Sequence, residues 1–277
     1  MKKLIVTADD FGAAREVNAA VEQGHRDGIL TAASLMVSAP AAAEAVAIAK
    51  AYPRLRVGLH LVLVDGRATL PATSVPDLVD AAGNFRSDMA RSAVNMFVFP
   101  SVRRQLEAEI AAQFDAFRAT GLSLDHVNTH KHFHLHPTIA ATILRVGRKY
   151  GLRAMRVPLE PHSVLARAEP GAKLPTALAI APWAMLSRAR LRRAGLRVPD
   201  QVFGLAWSGA MTAARVLGLI ENLPEGLSEI YLHPATAPYP GSAPGYRYGE
   251  ELAALIAPRV IDASRNSAIS KGGFADF

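Results

Sequence analysis

Short apolar runs recur along the chain, and between them the apolar positions fall three and four residues apart. A run of a few apolar residues reads as a buried strand, and the wider spacing as one face of a helix. Strands are predicted at residues 4–6, 32–37, 56–64, 122–129, 154–157, 202–207 and 229–232. Helices are predicted at 15–26, 40–51, 102–120, 138–150, 211–223 and 249–264. Gly28, Gly121 and Gly151 punctuate helix ends, and Pro40 opens the second helix, where its missing N–H would be unpaired anyway. In the third strand Val57, Leu59, Leu61 and Leu63 share one side and His60 falls on the other. Strands and helices alternate throughout, without an internal repeat, which predicts an α/β fold with a parallel sheet or barrel in one domain spanning 1–277. Two stretches break the rhythm, near 66–100 and 158–199. Both read as insertions, the first lying over the barrel mouth.

The chemistry gathers at predicted strand ends. Asp9 and Asp10 follow Leu4-Ile5-Val6 directly, with Gly12 as a flexible exit toward the first helix. His60 ends the third strand, four histidines fall within residues 130–136 after the fourth, and His233 follows Ile230-Tyr231-Leu232. Singly, each has an ordinary explanation: solvated acids or a helix cap, a rim histidine, a basic loop, a turn. In a parallel barrel, however, every strand ends on the same face, so topology would bring all four together. One carboxylate and two imidazoles form an N/O site suited to zinc, with magnesium, manganese or cobalt as alternatives. Three protein ligands leave positions open for water and substrate. A remaining carboxylate can then take a proton from water, and a remaining histidine can protonate a departing amine.

Composition narrows the options. The 277 residues are half hydrophobic and include no cysteine, which excludes disulfides, thiolate zinc, iron–sulfur clusters and a cysteine nucleophile. The net charge of +7 is compatible with nucleic acid, an anionic membrane or a merely basic surface. Aromatics make up only 6% and do not interleave with the basic residues, so nucleic acid ranks last. The N-terminus shows no secretory pattern and no stretch approaches the roughly 18 to 20 apolar residues of a span, which predicts a cytoplasmic protein. Residues 174–186 are apolar except for Thr176 and precede Arg188, Arg190, Arg192, Arg193 and Arg197. They read either as a core-facing helix with a solvated basic end or as an interfacial element, giving peripheral contact with the inner face of a membrane.

Three segments, Thr7-Ala8-Asp9-Asp10-Phe11-Gly12, Gly58-Leu59-His60 and the His130-x-His132-x-His134-x-x-Pro137 pattern, resemble the YdjC-type carbohydrate deacetylases, relatives of the polysaccharide deacetylases. Residues 103–109, 125–137, 202–212 and 227–235 resemble more closely the subgroup associated with hopanoid biosynthesis. The resemblance implies a distorted TIM-like (β/α) barrel and a divalent metal ion bound by Asp10, His60 and His130. It further implies Asp9 as general base and His233 as general acid. The family's usual Asp-Ser-His stands here as Asn128-Thr129-His130, removing a carboxylate beside the ligand, and Lys131 stands where many relatives have histidine.

His132 and His134 are alternative ligands or substrate contacts, because on an extended segment they would share a face with His130. Arg156 either orients Asp9, binds a sugar hydroxyl, or is a surface arginine. The implied substrate is an amino sugar or glycolipid, an N-acetylglucosaminyl hopanoid, whose apolar tail would run past Met96, Phe97, Val98 and Phe99 and residues 174–186. Competing readings are hydrolysis of another amide or a phosphoester, and a sugar- or lipid-binding protein without catalysis.

Overall fold

Strand β1 (Lys2–Phe11) is the spine of the computed structural model, which describes residues 1–171 and 181–277. On one side it pairs with β2 (Ala32–Leu35), followed by β3 (Arg56–Leu61) and β4 (Val127–Thr129). On the other side lie β6 (Gly226–Leu232) and then β5 (Gln201–Phe203), while the short β7 (Ile269–Lys271) joins the start of β1. All six pairings are parallel. Helices α1 (Arg15–Arg26) and α2 (Ala42–Ala51) follow β1 and β2. Then come α3 (Met89–Val98), α4 (Pro100–Ala119), α5 (Pro137–Gly147), α6 (His162–Ala168) and α7 (Ala181–Arg193). Helices α8 (Ala213–Glu221), α9 (Tyr248–Ile256) and α10 (Pro258–Ser264) complete the set.

Residues 153–159 bridge the gap between β4 and β5. Val127 N–H donates to the Ala154 carbonyl (3.0 Å) and Arg156 N–H to that of Val127 (3.1 Å); on the far side Met155 N–H reaches Arg197 (3.0 Å) and Val202 N–H reaches Leu159 (2.9 Å). The strand predicted at 154–157 is therefore present only as isolated bridges, because two diverging neighbours share it. Its bonds carry the curled sheet around into the expected distorted α/β barrel.

Strand alternation sorts the side chains. Leu4, Val6 and Ala8 of β1 face the helices, whereas Ile5, Thr7 and Asp9 face inward. Ile5 meets Ala32, Ala154, Leu227 and Phe274 in a small separate apolar cluster, the floor of the barrel. Phe274 comes from a single 3-10 turn near the C-terminus, and its full burial contributes about 1.5–3 kcal/mol. Asp125 holds that turn by accepting the N–H groups of Phe274 (3.1 Å) and Ala275 (2.8 Å), and the His126 ring stacks on Phe274 at 4.2 Å. Above the floor the interior turns polar with Thr7, Ser34, Asn128, Arg156 and Glu229, all buried.

The remaining departures from expectation have local causes. The helix predicted at 249–264 is two helices, because Pro258 has no N–H to give and forces Ala257 to an extended backbone (ψ 128°). Residues 66–88 are irregular, as expected, but 89–98 form α3. That loop and the exit from β3 before it are held by two buried side chains of α4. Glu109 accepts the N–H groups of Thr69 (2.8 Å) and Leu70 (3.0 Å), and Gln113 bonds both backbone groups of Val62. Of the apolar segment 174–186, residues 174–180 lie outside the described residues and the rest begins α7. Among the described residues no helix is long and apolar enough to cross a membrane.

Candidate metal centre

Adjacent residues on a regular strand point to opposite faces, so Asp9 and Asp10 could not both serve one site without a break in the pleat. The break is at Asp10, whose φ of 62° is left-handed, and the β1–β2 register shifts between Ala8 and Phe11. A non-glycine residue pays for this conformation, and here both carboxylates thereby reach the barrel mouth. Gly12 (φ 93°) completes the turn and donates its N–H to Asn18 Oδ1 at 2.9 Å.

Asp10 Oδ1 lies 3.2 Å from His60 Nε2 and 3.2 Å from His130 Nδ1, and one donor atom from each of the three residues falls within 4.8 Å of the others. Metal–ligand bonds of 2.0–2.2 Å at tetrahedral angles put neighbouring donors roughly 3.3–3.5 Å apart, so the spacing fits a small divalent cation. The tautomers point the same way. Asn128 Nδ2 donates to Asp9 Oδ1 (3.0 Å) and Ser34 Oγ (2.9 Å), which leaves Asn128 Oδ1 to accept from His60 Nδ1 at 2.6 Å. In neutral His60 the lone pair is then on Nε2, a buried atom that has no hydrogen-bond donor among the described residues and faces the lone pairs of Asp10. Only a cation or an added proton relieves that opposition. Burial disfavours the Asp10 carboxylate, but His130 and His60 outweigh it and hold it well below the usual carboxylate range. Burial likewise opposes an imidazolium at His60, and Asp9 and Asp10 raise its pKa despite that.

Asn128 is thus the link that fixes His60 in a ligating tautomer. Asn128→Leu removes it and is expected to weaken metal affinity about 10–100-fold, measured by chelator competition. Unchanged affinity would show that His60 is oriented without it.

Arg156 is wholly buried and joins two acids. Its Nη1 and Nη2 donate to the two Asp9 oxygens, the latter at 3.0 Å, while Nε and Nη2 donate to Glu229 Oε1 at 3.0 and 2.6 Å. Its guanidinium also lies 4.5 Å from the centre of the Tyr231 ring. Of the three readings offered for Arg156, contact with Asp9 is the one found, and a surface position is excluded. Among the described residues Asp9 Oδ1 accepts from Ser34 (2.7 Å), Asn128 and Arg156, whereas Oδ2 accepts from Arg156 alone. Burial would raise the Asp9 pKa, but Arg156 and then His60 and His233 keep it far below the ordinary value.

The histidine run is not extended. Thr129 ends β4 and a 3-10 turn follows, with Lys131 (φ 54°) and His132 (φ 53°) left-handed. The three histidines therefore do not share a face. His130 turns to Asp10, His132 Nε2 meets the Tyr231 hydroxyl at 2.9 Å, and His134 Nδ1 meets Thr129 Oγ1 at 2.7 Å. Burial, reinforced by Arg156, keeps His132 neutral and pushes the His134 pKa down to about 3. His233 follows β6; its Nδ1 is enclosed without a partner among the described residues, and its backbone N–H donates to Glu251 of α9. Sequence reading passed over Ser34, Glu229 and Glu251. For Glu229 a signal existed: an acid inside an apolar strand, on the same parity as Tyr231 and His233.

Residues 3–266 match the family described as YdjC-like protein. A carbohydrate deacetylase of Geobacillus stearothermophilus is 31% identical over 262 residues, covering 93% of this chain and 90% of that one. One from Brevibacillus brevis is 39% identical over 157 residues, 57% of this chain, and the match spans 58% of that relative's length. Among solved structures, an Enterococcus faecalis protein described as a cellobiose-phosphate cleavage protein superposes with a TM-score of 0.77 at 24% identity, covering 99% of this chain and 98% of its own. A lactam utilization protein from Thermus thermophilus gives 0.52 at 17% identity, covering 99% of this chain and 100% of its own. At those identities the likeness is one of fold.

Proposed function

The chain belongs to the YdjC-like family, and from that premise we propose that it is a metal-dependent carbohydrate N-deacetylase acting on an N-acetylglucosaminyl hopanoid. The observation that carries the reading is the convergence of Asp10, His60 and His130 beside an ionised Asp9 and a histidine, His233, with a ring nitrogen unpaired among the described residues. Carbohydrate deacetylases among the relatives supply the substrate class. A divalent cation, zinc first among the candidates, would be held by Asp10, His60 and His130 and would supply Lewis acidity toward water and the acetyl carbonyl.

The chain's own groups divide the proton work. Asp9 Oδ2 has the remaining acceptor capacity and takes a proton as the water oxygen bonds to the acetyl carbon. Arg156 holds that carboxylate in one orientation and keeps it ionised until then. His233 donates a proton to the nitrogen as the C–N bond breaks, so acetate and a free amine leave. Glu251 fixes the backbone from which His233 projects.

The test measures acetate and phosphate release side by side, on an acetylglucosaminyl hopanoid and on a soluble N-acetylglucosamine oligomer. Acetate release that a chelator abolishes and zinc restores is the expected result, with the lipid preferred by about tenfold or more, a difference of about 1.4 kcal/mol. Phosphate release, or chelator-insensitive turnover, overturns the reaction. Equal rates on lipid and soluble sugar overturn the hopanoid assignment alone.

A further inference from the structure

The largest exposed apolar side chains of the described residues, apart from Met1, belong to two helices that each touch the turn following β4. Val94, Phe97, Val98 and Phe99 lie on α3 and its end, between 50% and 61% exposed. Trp183, Met185 and Leu186 lie on α7, between 40% and 55% exposed. The Phe97 ring is 6.2 Å from that of His136, and the Trp183 indole N–H donates to the Leu135 carbonyl at 2.6 Å. Both patches thus border one corner, Leu135-His136, at the end of the turn that begins with His130. With its N–H satisfied, Trp183 has no other hydrogen-bonding group in its side chain.

Basic groups lie beside this apolar corner. Arg103 and Arg104, on the first turns of α4, line a cavity of ≈ 360 Å³ with Pro137 and Thr138, the residues directly after His136. Among the described residues neither has an ion-pair partner, while Arg145 in the same cavity is bound by Glu107 at 2.8 Å. Arg190 and Arg193 follow the exposed residues of α7, whereas Arg192 there is bound by Asp200 at 2.8 Å.

We propose that this corner is a docking face for an anionic lipid bilayer, with Phe97, Phe99, Met185 and Leu186 entering the interface and Arg103 and Arg104 taking headgroups. Aromatic and aliphatic side chains beside arginines suit the boundary between acyl chains and headgroups. Charge selects the bilayer over a second copy of the chain. A copy would set the same arginines against one another on a molecule already carrying +7, whereas anionic lipid complements them. Docking there would turn the site mouth toward the membrane surface.

The face is independent of the reaction proposed above, and vesicles without glycolipid test it separately. Co-sedimentation with vesicles of phosphatidylcholine alone is compared with vesicles that also contain phosphatidylglycerol, at low and high salt. The wild-type chain is expected to bind the anionic vesicles at least about tenfold more tightly, and high salt should weaken that binding. Phe97→Ser/Phe99→Ser/Met185→Ser and, separately, Arg103→Glu/Arg104→Glu are each expected to lose at least about tenfold in vesicle affinity with unchanged circular dichroism, and the arginine variant with unchanged turnover of a soluble substrate. Wild-type protein that stays in the supernatant overturns the proposal, as do folded variants that bind like wild type. A concentration-dependent dimer abolished by the apolar variant, without vesicle binding, assigns the face to a second copy instead.

Discussion

Asp9→Asn is expected to lower kcat/KM for acetate release by about 10²–10⁴-fold, the usual range for loss of a positioned acid or base, while metal content stays unchanged. The amide keeps the size of the carboxylate, whose hydrogen bonds among the described residues go to Ser34, Asn128 and Arg156 and not to Asp10, His60 or His130. It removes the acceptor at Oδ2, which among the described residues has one donor where Oδ1 has three. Arg156 keeps its bonds to Glu229, so the variant retains a partner for its buried cation. Equal metal content by elemental analysis with turnover lost assigns the proton transfer to Asp9. Wild-type kcat/KM in a folded, metal-loaded variant would give that role to another group. Metal lost together with activity would show instead that Asp9 acts through the Asn128 bridge to His60.

The parts of this site that were legible in the sequence are those that depend on strand parity alone. Val57, Leu59 and Leu61 facing the helices is enough to put His60 inside. Topology then sets β4, β3, β2 and β1 in that order across one parallel sheet, so the strand ends that carry His130, His60 and Asp10 fall on the same face. What could not be read depends on backbone conformations that no side-chain pattern announces. Asp10 in the left-handed region places both acids at one mouth, and Lys131 and His132 in the same region scatter histidines that an extended chain would have aligned. Long-range pairings were equally hidden. Arg156 and Glu229 are 73 residues apart, and nothing near either one signals the other. The floor was missed because Phe274 belongs to a single turn too short to show periodicity.

Arg156→Leu is expected to reduce stability at neutral pH by about 3–5 kcal/mol, as for breaking a buried ion pair from one side, and to reduce turnover as well. The leucine leaves Asp9 and Glu229 in a dry interior without the cation that bonded both. Asp9 keeps Ser34 and Asn128, and Glu229 keeps Thr7 at 2.8 Å, but none of these brings a positive charge. The pH dependence separates this cause from simple loss of packing. In the wild type the folded pKa of Asp9 is depressed, so its ionised form stabilises the fold above the unfolded carboxylate value of about 3.9. That contribution is lost only as pH falls through the lower folded value. Without Arg156, burial acts with its main opponent gone, the folded pKa of Asp9 moves up, and protonation relieves the variant at a pH where the wild type is still ionised. Denaturant unfolding of both proteins should therefore show a stability gap that is widest at neutral pH and narrows as pH falls toward about 4. Adding Glu229→Gln to Arg156→Leu removes one stranded charge and should recover part of the stability at neutral pH without restoring turnover. A gap that holds constant with pH, or a double variant no more stable than the single one, would mean that Arg156 supports the barrel by its bulk and not by holding two acids in their charged form.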